Sequence, residues 1–397
     1  MKFSIASQAR TELQSILYGY PDYVYSGGSP EQMGDIPVFI YHSIDWERFE
    51  HDLQYLSANG YTTIGLSKLV PHLRGQTPVP DKAVILTFDD ARSSFWRFGY
   101  PLLKRYQMKG VLFVIAGLTE DTKSVRENLF SVWDGESSAE EIEAIDSNDE
   151  SLCTWPEIRA MYASGWVEVE SHSLFHQEVF VDNELVGFLG PSTNYVPFQT
   201  PVTAYLSAND VGAGIVPEKY FGLPLFRSAP LHSGQHAWDV PTDLRRRAKE
   251  LWERVPARVQ QKRRWQRWLR SRWTERGWVE ELRRQATSDV EQHISDDIAH
   301  ARALIKEKVD RDAGDHFCLP YTVGSEISIA IMKKLDVKSC SWGVLPKHRH
   351  NAVGADPMRI SRIKHDFIWR LPGRGQKSLV RIYAEKLGRR LRGEKVY

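Results

Sequence analysis

AVILTFDDA, residues 83–91, joins a run of strand-forming residues to two carboxylates. Ala83 to Phe88 is short and rich in apolar and β-branched residues, so it reads as a strand. Asp89 and Asp90 stand at its end. Upstream, Ile36 to Tyr41 is a second short apolar run and reads as a buried strand. Between the two, Trp46, Phe49, Leu53 and Leu56 recur at helical spacing over residues 46–59, and Gly60 terminates the helix. Downstream come a helix from about Phe95 to Gln107, a strand over Val111 to Ala116, and an acidic, loop-like stretch over 117–152. Thr154 then precedes a helix carrying Trp155, Ile158, Met161 and Tyr162 on one stripe, closed by Gly165. A strand from Trp166 to Glu170 leads into SHSLFH, residues 171–176.

Strands alternating with helices predict an α/β fold built on a parallel sheet. In such folds chemistry collects at the C-terminal ends of strands, where Asp89 and Asp90 lie. The alternation breaks over 177–290 and resumes with a helix near 291–309, a strand ending in CLPY (318–321), a helix near 325–334 and two short strands. The chain therefore divides into an irregular extension (1–34), a first part of the main domain (35–176), an insertion (177–290), and a second part with a basic tail (291–397).

The bulk properties exclude some classes. A chain of 397 residues with 42% hydrophobic content can bury a large core, and a net charge of +1 is not that of a strongly basic nucleic-acid binder. Three cysteines are too few for a disulfide framework. The opening MKFSIASQARTELQ lacks the apolar stretch of a signal peptide, and no window approaches the roughly 20 apolar residues of a membrane span. The expectation is a cytoplasmic protein with peripheral contact at the inner membrane surface.

Two pairs of residues suggest chemistry. Adjacent strand residues face opposite ways, so Asp89 and Asp90 reach one site only where the strand turns into a loop; the plainer reading makes them caps of the following helix. His172 and His176 are four apart, which on a helical turn puts both imidazoles on one face. The plainer reading is two surface histidines on a loop. Two histidines and a carboxylate form a facial set that suits zinc, iron, cobalt or manganese in a hydrolase.

Taken together and in order, TFDDA (87–91), ESHSLFH (170–176) and LPY (319–321) resemble the motifs of polysaccharide deacetylases. These are the NodB-homology family, similar to carbohydrate esterase 4, and here most like its surface-glycan and exopolysaccharide members. Softer matches are PVFIYHSID (37–45), PLLKRYQMKGVLFV (101–114), TWPEIRAMYASGWVEVESHS (154–173), DDIAHARALI (296–305) and RISRI (359–363). The resemblance implies an irregular (β/α) barrel with an α-rich insertion. It makes Asp89 the general base and Asp90, His172 and His176 the ligands of one divalent ion, zinc foremost, with cobalt, nickel, manganese or iron as alternatives. Tyr321 would supply a backbone N–H to the oxyanion.

The chain departs from the pattern in three places. Ala91 stands where the family usually has Gly. The Arg often found before Pro-Tyr is missing from HFCLPYTVG, leaving Arg92, Arg362 or neither to hold Asp89. The late histidine that protonates the leaving amine has no clear counterpart; His348, His350 and His365 are the candidates. His42, Arg92, Pro320 and Arg362 are candidate sugar contacts, although an Arg at a barrel end usually pairs with a carboxylate.

Residues 243–284 carry 15 Lys/Arg against 6 Asp/Glu, and Trp265, Trp268, Leu269 and Trp273 form one helical stripe within them. Such a stripe either packs on a core or lies on anionic lipid or an anionic substrate. Nothing else in the chain supports nucleic acid. The tail KSLVRIYAEKLGRRLRGEK (377–395) is likewise basic and amphipathic. The expected activity is removal of an N-acetyl group from a sugar that is lipid-linked or nucleotide-linked. An O-acetyl esterase and a silent glycan-binding relative are the alternatives.

Overall fold

The computed structural model describes residues 19–147, 151–191, 205, 216–261 and 264–392. Residues 1–18 of the extension, most of 192–215 in the insertion and the end of the basic tail lie outside the described residues. The chain forms two compact units. The first comprises Met1–His172, Ala301–Thr322 and Asp336–Tyr397; the second comprises Ser173–His300 and Val323–Leu335.

The first unit is built on parallel strands: β1 (Val38–Tyr41), β2 (Thr62–Thr63), β3 (Ala83–Phe88), β4 (Gly110–Val114) and β5 (Val167–Ser171). β3 is buried along its whole length, as a strand covered on both faces must be, which is why it is almost wholly apolar. β1 pairs with β3, β3 with β4 and β4 with β5, all in parallel. β2 adds a two-residue pairing to the start of β3.

The second unit contributes an antiparallel sheet of β6 (Glu178–Phe188), β7 (Pro224–Pro230), β8 (Trp238–Asp239) and β9 (Arg283–Arg284), in the order β7-β6-β8-β9. The first unit then resumes with β10 (His316–Cys318), β11 (Ser339–Ser341) and β12 (Ile363–Lys364). β10 pairs with β5 and with β11, and β12 pairs with β1. One further bridge, Ser341 to Ile360, joins β11 to the segment that becomes β12. The Trp342 N–H donates to Ile360 O (2.9 Å) and the Ile360 N–H to Cys340 O (3.0 Å). The parallel sheet thereby closes on itself, with residues 360–364 as the closing stave: an irregular (β/α) barrel.

Local chemistry explains the elements that carry the site. The helix Trp46–Ala58 starts on Asp45, whose carboxylate accepts the Arg48 N–H, and buries Phe49, Leu53 and Leu56. The helix Trp155–Ala163 begins with Pro156, and Glu157 accepts the Thr154 N–H at 2.9 Å. Residues 117–152 are less loop-like than their composition suggests. They contain the short helices Leu129–Trp133 and Ala139–Ala144, the latter closed by a Ser138/Glu141 capping box.

The insertion holds the helices Thr242–Glu253, Ala257–Gln261 and Trp265–Glu275, and in addition the antiparallel sheet, which the sequence reading lacked. The Trp stripe is not an interfacial face. Trp265, Leu269 and Trp273 are buried with Phe188, Phe226, Trp252 and Trp278 in this unit's own core. Trp252 meets Trp265 and Trp273 meets Trp278 edge to face, with ring centres 5.3 and 5.2 Å apart. The arginines around the stripe are part of the packing: Arg270 donates to Leu185 O (2.7 Å) and Val186 O (2.8 Å).

Candidate active site

The strand-end carboxylates are held by two different arginines. Asp89 leaves β3 with its N–H donating to Tyr41 O. Asp90 and Ala91 then both adopt left-handed backbone, φ 70° and 55°. That turn carries the chain out of the strand and explains why glycine is the easier residue after the Asp pair. The N-cap position of the helical turn that follows, Phe95–Gly99, is Ser94.

Arg362, fully buried, grips Asp89 at both oxygens: Nη1 to Oδ1 at 2.7 Å and Nη2 to Oδ2 at 2.9 Å. Its other N–H groups reach Thr87 Oγ1 (3.0 Å), Cys318 Sγ (2.9 Å) and Trp342 O (2.8 Å), so all five donors are used. Burial alone would raise the Asp89 pKa. The Arg362 guanidinium, with His172, outweighs it and holds the carboxyl below its ordinary value. Arg92 donates to Asp90, from Nε and Nη2 to Oδ2, both at 3.2 Å. The sequence left Arg92 and Arg362 as sugar contacts or as the residue that holds Asp89; Arg362 is the one that holds Asp89, and Arg92 is buried against Asp90.

His172 follows β5 and donates its N–H to Val114 O at 2.8 Å. Its Nδ1 lies 3.0 Å from Cys318 O. A carbonyl only accepts, so Nδ1 carries a proton and Nε2 is the ring nitrogen turned away from Cys318 O. Nε2 lies 3.5 Å from Asp90 Oδ1. This arrangement fits a divalent ion. The ring is oriented from behind by a carbonyl, and an imidazole nitrogen and a carboxylate oxygen converge in front. Asp89, His172 and Cys318 also bring ligand-type atoms within 4.8 Å of one another. They fit an ion less well, because both Asp89 oxygens are engaged by Arg362 and burial raises the Cys318 thiol pKa well above its ordinary value.

His176 lies four residues along the chain from His172, in the second unit. The two histidines do not share a helical turn. Ser173 (φ 71°) and His176 (φ 52°) make a left-handed loop, closed by the His176 N–H donating to Ser173 Oγ at 2.8 Å. Asp297 steadies the same loop, accepting the Leu174 N–H (3.1 Å) and lying 3.1 Å from His232 Nε2. Sequence reading missed Asp297 and Cys318. Their neighbourhoods were quoted, DDIAHARALI and CLPY, but no spacing rule ties either to a histidine.

Tyr321 sits just past β10 in a turn with left-handed Tyr321 and Thr322, φ 57° and 58°, and outside any strand ladder. Pro320 is buried beside it. His42, at the end of β1, lies with Nε2 4.0 Å from Asp89 Oδ2 and opens on a cavity of about 640 Å³. Arg48, Arg97, Asp146, Thr322 and His365 also line this cavity. Burial lowers the His42 pKa, against Asp90 and Asp89, which raise it. His365 stacks on Tyr41 (4.4 Å) and places Nδ1 3.2 Å from Ile40 O. His350 is bracketed by Asp22 and Asp35, at 3.7 and 3.3 Å. His348 is exposed, and neither His348 nor His350 lines the cavity.

Residues 76–194 match the family model described as polysaccharide deacetylase. It is 29% identical over 131 residues to the poly-β-1,6-N-acetyl-D-glucosamine N-deacetylase of Escherichia coli strain K12, covering 33% of this chain and 18% of that protein. It is 31% identical over 93 residues to the Bacillus subtilis strain 168 protein YxkH, named as a polysaccharide deacetylase, covering 21% of this chain and 33% of that one. The chain thus spans about a fifth to a third of the length of the curated relatives it matches. Among solved structures, IcaB from Ammonifex degensii is similar at a TM-score of 0.45 and 17% identity, over 83% of this chain and 91% of that one.

Proposed function

We propose that this chain hydrolyses the N-acetyl group of a sugar in a glycan or glycan precursor, with help from a divalent metal ion. The observation that carries the reading is Asp89, kept ionised by a buried guanidinium beside the Asp90–His172 pair in the segment that matches the polysaccharide deacetylase family model.

Asp90 Oδ1, His172 Nε2 and the His176 imidazole would hold the ion, zinc by donor type, which when bound polarises the acetyl carbonyl and acidifies water. Asp89 takes the proton from the attacking water. Its paired oxygens keep it aimed and charged, and its depressed pKa keeps it available as a base across neutral pH. The Tyr321 N–H serves the oxyanion, a kind of donor worth roughly 2.7–4 kcal/mol in comparable sites. The proton that Asp89 takes from the water must reach the leaving amine, and His42, with Nε2 4.0 Å from Asp89 Oδ2, is the histidine placed to pass it on. Of the histidines lining the cavity it is the one recorded beside Asp89, whereas His365 is turned to Ile40 O.

The relative from E. coli supports an N-acetylglucosamine unit as the sugar. Lipid or nucleotide linkage, and work on the cytoplasmic face of a membrane, complete the proposal; the three cysteines, all free and buried, are compatible with a reducing compartment. Acetate release from a panel of N- and O-acetylated sugars, measured alongside metal content, tests it. Release from N-acetylated sugars is expected. Release from O-acetyl esters alone would make the chain an esterase, and metal-loaded protein without release would make it a binding relative.

A further inference from the structure

The helix Leu379–Leu391 has two unlike faces. Ile382 and Lys386 are buried, with Lys386 Nζ 3.4 Å from Asp366 Oδ2 and Arg389 also paired to Asp366. Glu385 is shared by Lys377 (2.8 Å) and Arg381 (3.0 Å). The opposite face carries Val380, Leu387 and Leu391, which are 80%, 57% and 79% exposed, together with exposed Ala384. At 3.6 residues per turn these four positions fall within about 60° of arc. Single exposed apolar residues are ordinary, but an unbroken stripe of four is not.

We propose that this stripe docks the protein on an anionic lipid bilayer. Charge selects the occupant. Lys386 and Arg389 are paired to Asp366 beneath the helix, and on its outer side Arg381, beside Glu385, and Arg390 remain, with Arg392 following directly. By helical position Arg381 and Arg392 flank the stripe on one side and Arg390 on the other. A second copy of the chain, packed stripe to stripe about a two-fold axis, would oppose these cations to themselves. An acidic headgroup layer accepts them while the stripe enters the acyl boundary. The helix also walls a groove of about 570 Å³, which shares Arg48, His365 and Arg389 with the cavity below His42. The docked face therefore adjoins the entrance to the site, and only this link to catalysis rests on the proposed function.

Sedimentation of the full chain with phosphatidylcholine vesicles, with and without phosphatidylglycerol, tests the proposal. The expected result is binding only to the phosphatidylglycerol vesicles, weakened by salt, and about tenfold or more weaker in Leu387→Ser/Leu391→Ser. That variant changes solvent-exposed side chains, so its melting temperature and its acetate release from a soluble acetylated oligosaccharide should match the parent. No binding to anionic vesicles at low salt would overturn the proposal, as would undiminished binding of the double variant or a concentration-dependent dimer that the variant abolishes. Loss of acetate release on every sugar would sink the proposed activity while leaving vesicle binding intact.

Discussion

Asp89 and Arg362 show how one buried ion pair can set both reactivity and stability. Replacing Asp89 by Asn removes the carboxylate proposed as proton acceptor and leaves Asp90 and His172 in place. Acetate release is expected to fall 10²–10⁴-fold with metal content unchanged, measured by acetate assay and elemental analysis. Near-parental turnover would remove Asp89 from the base role. Arg362→Met strands a buried carboxylate and should destabilise the fold by about 3–5 kcal/mol, whereas Asp89→Asn/Arg362→Met recovers much of that, because the cost lies in the unpaired charge. Denaturant melts of the single and double variants decide; equal losses in both would contradict it. The sign of the pH dependence follows from the lowered Asp89 pKa. The pair's contribution is present above the unfolded carboxyl value and is lost as pH falls through the depressed folded value. The melting temperature of the parent should therefore drop more steeply than that of Asp89→Asn at pH below about 4.

Among the elements, the loop Ser173–His176 deserves a variant of its own. Asp297 holds it through the Leu174 N–H, 123 residues away in sequence. Asp297→Ala should weaken metal binding about 10–100-fold, as losses of outer partners do, and do so without touching a ligand. A metal titration giving parental affinity would show that the loop holds itself. This loop also marks where sequence reading ran out. A four-residue histidine spacing suits a helical turn equally well, and neither left-handed position is a glycine that would betray the loop. β3 was legible because burial on both faces demands an apolar run, and Trp46–Ala58 because its period and terminating Gly60 agree. β6 was not legible: its register slips between Phe180 and Leu185 and again before Gly187, which blurs the alternation that marks a strand. The Trp265–Trp273 stripe was ambiguous in principle, since a core and a lipid interface ask for the same pattern. Only the partners, Phe188, Phe226, Trp252 and Trp278, separate the two.

On the scale of the whole molecule, metal binding and folding should be linked. An ion that binds the folded chain at 100 times its dissociation constant stabilises it by about 2.7 kcal/mol. Chelation should therefore lower the melting temperature, and a divalent ion should restore it; an unchanged melt on chelation of metal-loaded protein would argue that no such site is occupied. The barrel's closing stave carries a different consequence. Both carboxylates are made early, but the guanidinium that charges Asp89 is 273 residues further along and arrives on the segment that completes the ring through Ile360. During synthesis on the ribosome, a growing chain already has Asp89, Asp90, His172 and His176 while Arg362 is still untranslated. Such a chain has an unfinished barrel and no partner for its base. The proposed base therefore gains its partner only once residue 362 has been made, and a chain stopped between His176 and Arg362 should release no acetate.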